Sequence, residues 1–410
     1  MRAVAPLRDP IVARLWSALV VFTMGDELYR VALVWLAVEL VGRQAGYLGA
    51  LQSACMLLGA VLGGTFAASL GQRRAMSIFL VAGAACTLVP TLAWEAGYPS
   101  FAALLVPAVA VSLMRAQFEP AVQGHLPVLV PDRDLLFATN GLIDGVRRMA
   151  RITGPMLAAG LALVVAVHDL FALYALALLF AAWLLLRVGD ALPAREGRAD
   201  GGFVLGARIV RQERVLLGLL SVKSVTDGCW VVVIGHAFPL TVEQSGASWL
   251  GISGVAAYGT GLAVYGVANV SANILISSMR PSLSAVRMLA GLAVMGAGLT
   301  GMALAVAFAP PDLLLPGLYA GLALAACGSP FCDIPLAMRV QLAGGPSAPR
   351  AAAASVFRVR LSMNFTGIML AGLVSPTLFG TLGVAPTMLG SGLLCAAASL
   401  AALAALKGRG

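Results

Sequence analysis

Charge is what this sequence has least of. Of 410 residues, 11% are Asp, Glu, Lys or Arg, against about 25% in a soluble globular domain. A water-soluble chain needs that charge to cover its exterior, so a soluble enzyme, a disordered chain and a nucleic-acid-binding domain are excluded. Lysine stands only at Lys223 and Lys407, and the other basic residues are arginine. The net charge of +9 is spread over short segments rather than gathered on one face, so it marks no polyanion partner. Histidine is scarce. His125, His168 and His236 are isolated from one another, and none is expected to ligate a metal. The six cysteines fall inside apolar stretches with no CxxC pair and read as small packing residues. Cys327 and Cys332 beside Asp333 are the weaker metal candidate. There is no GxxxxGK[ST] nucleotide loop, HExxH or GxSxG, which argues against direct ATP drive and against a membrane hydrolase.

What fills the space is apolar: 60% of the chain. A spanning helix needs about 20 mostly apolar residues. Twelve such runs occur, at 12–40, 45–68, 75–94, 100–127, 136–166, 169–188, 214–240, 248–277, 284–308, 313–341, 351–381 and 384–406. They are continuous rather than alternating, which excludes a β-barrel. In hydrocarbon the backbone must bond to itself, so the runs are helices. The first carries Asp26, Glu27 and Arg30, too long and too charged for a signal peptide. The expected fold is an all-α polytopic membrane protein with twelve transmembrane helices in two six-helix bundles, 1–188 and 214–410, joined by a polar linker at 189–213. Within the linker, Phe203 to Val210 is apolar enough to lie on the membrane surface. Arginine fixes the orientation. With the N-terminus inside, Arg2, Arg8, Arg73, Arg74, Arg133, Arg187 and later clusters all fall on the cytoplasmic side, while Arg43 is the only outer basic residue, so both termini are expected in the cytoplasm.

The two halves repeat. Thr153-Gly154-Pro155-Met156-Leu157-Ala158 returns 213 positions later as Thr366-Gly367-Ile368-Met369-Leu370-Ala371. Glu119 matches Asp333 and Asp26 matches Asp227 at similar offsets. Six spans per half give both halves the same orientation, a parallel repeat. With these features the chain resembles the major facilitator superfamily over nearly its whole length. Within it the chain is similar to the enterobactin-exporter and macrolide-exporter branch of drug:proton antiporters. The carrying residues are Gly25-Asp26-Glu27-Leu28-Tyr29, Ala32-Leu33-Val34-Trp35-Leu36, Phe118-Glu119-Pro120-Ala121, Leu126-Pro127-Val128-Leu129-Val130-Pro131, Leu135, Ala138-Thr139-Asn140 and Gly154-Pro155. The resemblance implies a gating loop at Gly64 to Arg74. There the usual acid is Ala68 and the next base Ser69, leaving Gly71, Arg73 and Arg74. It also implies an antiporter motif in the fifth span, represented by Gly154 and Pro155 with Gly160, without the full run of glycines.

Charges within the spans are the candidate site, since each costs at least about 2.5–3.5 kcal/mol at the bilayer centre. Asp26 lies near the midplane, with Arg30 four residues on. The same spacing joins Arg115 to Glu119, Asp144 to Arg148 and Lys223 to Asp227. One reading is mutual neutralisation that eases insertion; the other is convergence on a water-filled cavity. Bases outnumber acids at membrane level, and Arg115, Arg151 and Lys223 are the deep ones, which suits an anionic substrate. Asp26, Glu119 and Asp227 are the proton-coupling candidates. Arg30, Arg115, Arg151, Lys223, Asn269, Asn273 and Asp333 are the substrate-binding candidates, with helix–helix bonding the competing role for the two asparagines. The expected function is a secondary active transporter, a proton-coupled exporter of a siderophore or drug-like anion. Import of an anionic compound is the alternative. No cofactor or metal is expected. The expected partners are a small molecule, protons and the lipid bilayer, for a monomer in the plasma (inner) membrane.

Overall fold

The computed structural model describes residues 7, 10–62, 72–129, 133–187, 202–278, 283–343 and 350–407. Besides a 3-10 turn at Gly42–Ala45, they form thirteen longer helical stretches. The first six are α1 (Pro10–Val41), α2 (Gly46–Leu62), α3 (Gln72–Glu95), α4 (Phe101–Leu129), α5 (Arg133–Leu161) and α6 (Asp169–Leu186). A short α7 (Gly202–Gln212) follows. Six more complete the set: α8 (Arg214–Ser245), α9 (Gly254–Ser278), α10 (Ala285–Phe308), α11 (Pro311–Gly328 continuing as Pro330–Gln341), α12 (Arg350–Thr381) and α13 (Val384–Lys407). Apart from α7 these are the twelve expected spans, and the chain is an all-α polytopic membrane protein. Among the described residues eight helices are long and apolar enough to cross a membrane by composition alone. The four that fall short are α1, α2, α4 and α5. Charges interrupt the apolar stretch in α1 and α5, and the apolar part of α4 among the described residues is Phe101–Ala116.

Prolines sit inside α3, α5, α11 and α12, at Pro90, Pro155, Pro316 with Pro335, and Pro376. Neighbouring helices tolerate them in a membrane because they can re-satisfy freed carbonyls. Within α8, Val231–Ala237 is wound as a π-helix. The one sheet among the described residues is a two-residue hairpin, Ser248–Trp249 against Ile252–Ser253, between α8 and α9.

The chain packs as two units, Met1–Leu40 with Leu62–Glu196, and Val41–Val61 with Gly197–Gly410. Sequence reading places 41–61 in the first bundle; by packing it belongs to the second unit. Glycine explains the attachment. A Cβ at Gly46 would stand 2.8 Å from Ser375 Oγ and 3.1 Å from the Gly372 carbonyl, and one at Gly49 2.8 Å from His236 Nε2. Such small-residue seams let helices meet closely in lipid. In the same unit α7 lies along α12, its Gly206 against the Ser355 backbone, while Val204 remains exposed.

The first unit has an aromatic centre. Tyr29, Phe171 and Tyr174 are buried, with ring centroids 5.7 Å apart (Tyr29–Phe171) and 5.1 Å apart (Tyr29–Tyr174). Gly25 admits this contact, for a Cβ there would meet Tyr174 at 2.8 Å. Trp35 is buried as well. In the second unit Trp230 donates its indole N–H to Tyr265 at 3.2 Å.

Candidate functional site

In the first unit the charged residues of α1, α4 and α5 meet. Asp26 pairs with Arg115 of α4 at 3.2 Å and accepts a hydrogen bond from Tyr174 of α6 at 3.4 Å. Arg30 bonds Glu27, not Asp26. The i, i+4 expectation for Asp26 and Arg30 is therefore corrected. Three residues on is as close on a helix as four, and Asp26 turns toward α4 and α6 instead. Arg115 reaches across helices to Asp26. The side chain of Glu119 lies outside the described set, as do those of Asp144, Arg73 and Arg74, and Gly71 lies outside it altogether.

Burial separates the two signs. The side chains of Asp26 and Glu27 are 9% and 6% exposed, whereas those of Arg115 and Arg30 are 32% and 45% exposed. Arg151 of α5 is exposed too, and it lies with Arg30 and Arg115 within electrostatic reach of Glu27. Three guanidinium groups thus stand over two buried carboxylates. Gly154 makes the arrangement possible. A Cβ there would fall 2.3 Å from the Glu27 Cβ, so only glycine lets α5 come this close to α1. Pro155 beside it is buried.

The second unit builds a different cluster from the repeated positions. Lys223 bonds Asp227 one turn on, as the spacing predicts, and also reaches Asp333 of α11 at 3.1 Å. Asn364 of α12 donates to the other Asp227 oxygen. Both Asp227 oxygens are engaged. Asp333 is the outermost member, its side chain 42% exposed. Gly367 permits the contact of α8 and α12, since a Cβ there would lie 2.2 Å from the Ser224 carbonyl. Asn269 and Asn273 are buried. Asn269 donates to Ser329 Oγ at 3.0 Å and to the Ala326 carbonyl at 3.2 Å, and Asn273 donates to Asn269 Oδ1 at 3.0 Å. They tie α9 to the point where α11 breaks.

Tyr174, Asn364 and Ser329 escape sequence reasoning. Asn364 was within reach of it, because it stands 213 positions after Arg151, the offset already seen for Gly154 and Gly367. Two of the histidines have side-chain partners. His236 is buried and bonds Ser375 at 3.0 Å. His168 is not isolated, since its Nε2 lies 3.3 Å from Glu95. Both partners are remote in sequence.

The chain matches the profile of the Major Facilitator Superfamily over residues 15–359. With the fold, this places it in the class of multi-pass secondary transporters. The chain belongs to the Major Facilitator Superfamily. No curated protein matches its sequence. Solved structures share its fold. The POT family transporter PepTSo superposes with a TM-score of 0.75 at 11% identity, covering 97% of each chain. The nucleoside transporter NupG gives 0.73 at 11% identity over 96% of this chain and 99% of that one. The human organic anion transporter TETRAN gives 0.63 at 15% identity over 96% and 99%.

Proposed function

We propose that this chain is a proton-coupled exporter of an anionic small molecule, a siderophore or drug-like compound, working by alternating access. It would act as a monomer in the plasma membrane with both termini cytoplasmic. The observation that carries the reading is the division of charge in the first unit, which buries its acids and presents its arginines. A surface of Arg30, Arg115 and Arg151 favours carboxylate or catecholate over a cation, and guanidinium grips such groups with two parallel bonds. Arg151 is the most available of the three, for Arg115 is held by Asp26 and Arg30 by Glu27.

Proton coupling needs an acid that alternates between a proton and a basic partner. Asp26 meets that need, being buried and paired with Arg115, a base that can turn to a substrate when Asp26 is neutral. Glu119 and Asp227 are the further candidates. Lys223 with Asp333 forms the matching cluster of the second unit, while Asn269 and Asn273 hold α9 and Gly154 sets the α1–α5 approach. Gly71, Arg73, Arg74 and Pro155 keep the gating roles that the exporter branch implies. The residues at Gly25 to Tyr29 and Phe118 to Ala121 support that branch.

The test is flux in sealed proteoliposomes under an imposed pH gradient. A panel of catecholate siderophores, anionic drugs and cationic dyes is offered. Anions moving against the proton flow support the reading. Cationic dyes moving while anions do not would replace it with a general drug exporter. Anions moving with the protons would make it an importer.

A further inference from the structure

We infer that Glu95, His168 and Asp169 form a binding site for a divalent transition-metal cation, zinc being the best fit, at the shared end of α3 and α6. The site is separate from the charged residues within the spans, so it stands or falls independently of the proposed transport. One nitrogen and two carboxylate oxygens lie within 4.8 Å of one another. His168 Nε2 is 3.3 Å from Glu95 Oε1 and 3.8 Å from Asp169 Oδ1. Tetrahedral zinc with bonds of about 2.0–2.2 Å sets its ligands about 3.3–3.6 Å apart. The first distance already matches. The others close by rotating carboxylates that are free to turn, Glu95 being 68% and Asp169 38% exposed.

The imidazole is the element that distinguishes this trio from an acidic patch, and its position is fixed. The Trp94 ring stacks on it at 26° with centroids 6.1 Å apart. Thr91 Oγ1 donates to the His168 carbonyl at 2.7 Å, tying the turn before α6 to α3. The donor set selects among metals. Calcium wants six to eight oxygens and magnesium keeps most of its water, whereas imidazole with carboxylate suits zinc and its neighbours. A fourth position is left for water. The ion would join the carboxyl end of α3, where the helix dipole favours a cation, to the start of α6, where Asp169 offsets the opposing dipole.

Without a metal the same atoms form an ion pair only when His168 is protonated. Metal and proton therefore compete for Nε2. The experiment is calorimetric titration of untagged, detergent-purified protein with Zn²⁺, with Mg²⁺ as control, for the wild type, His168→Gln and Glu95→Gln. We expect one zinc site in the wild type, weakened at least about tenfold in each variant, and a zinc-dependent rise in thermal midpoint that His168→Gln lacks. Absence of zinc binding in the wild type, an unchanged isotherm in His168→Gln, or equal binding of Mg²⁺ would overturn the site and leave a protonated ion pair in its place.

Discussion

Arg115 and Arg151 carry the same charge on neighbouring spans, yet their surroundings assign them different work. Removing Arg115 leaves Asp26 without its ion pair, and truncating one member of a buried charge pair costs about 2–5 kcal/mol. Arg115→Ala should therefore lower the thermal midpoint in detergent. Arg151 is exposed, so Arg151→Ala should leave the midpoint unchanged and weaken an anionic substrate at least tenfold, about 1.4 kcal/mol. Titration with the best anion from the flux panel checks it, and equal loss in both variants would remove the distinction. Asp26→Asn keeps the shape and the Tyr174 bond but cannot titrate. It should abolish flux driven by a pH gradient while preserving exchange of substrate for substrate. Gradient-driven flux at the wild-type rate would make Asp26 structural. Acid–base pairs were only half legible at this scale. Lys223 with Asp227 follows from spacing on one helix, but Asp26 with Arg115 needs α1 and α4 side by side, and no local pattern encodes that.

Among helices, contact is governed by glycine. Gly154 and Gly367 occupy matching places in the repeat, and each lies against the first helix of its own half, Gly154 on α1 and Gly367 on α8. What they meet differs. Gly154 faces the Glu27 Cβ at 2.3 Å and Gly367 faces the Ser224 carbonyl oxygen at 2.2 Å, and the backbone fixes both atoms in place. We expect Gly367→Ala and Gly154→Ala each to lower the thermal midpoint, with overpacking typically costing about 1–3 kcal/mol. Gly160→Ala is the control, since a Cβ there meets nothing within 4 Å. If all three variants melted together, the close approaches would carry no weight. Span existence and approximate bounds were legible because hydrocarbon leaves a long apolar run few alternatives. The partner of α2 was not. A seam of glycine and serine has no periodic signature, so chain order placed 41–61 with its neighbours in sequence rather than with Gly372 and Ser375.

At the scale of the whole molecule, the arginine asymmetry predicts orientation. A fluorescent protein that matures only in the cytoplasm should glow when fused after Gly410, and alkaline phosphatase fused at the same place should be inactive. The reverse pattern would invert the topology. The repeat also shows how the halves diverged. Arg151 of the first half is replaced by Asn364 in the second, where Lys223 brings the positive charge from α8 instead. The two clusters use the same helices for different chemistry, and the sequence alone revealed the repeated acids without revealing this exchange of partners.

The near-absence of lysine gives the cluster on α8 a chemical handle. Lys223 is buried between two carboxylates, and the only other lysine is Lys407, near the end of the chain. Among lysines an amine-acylating reagent therefore has two targets in this sequence, Lys407 and Lys223. Acylation needs a free, accessible amine, and Lys223 is buried and engaged while Asp227 and Asp333 hold it. Its labelling rate, followed on a single peptide by mass spectrometry, becomes a clock for how often that cluster opens, readable before any substrate is known.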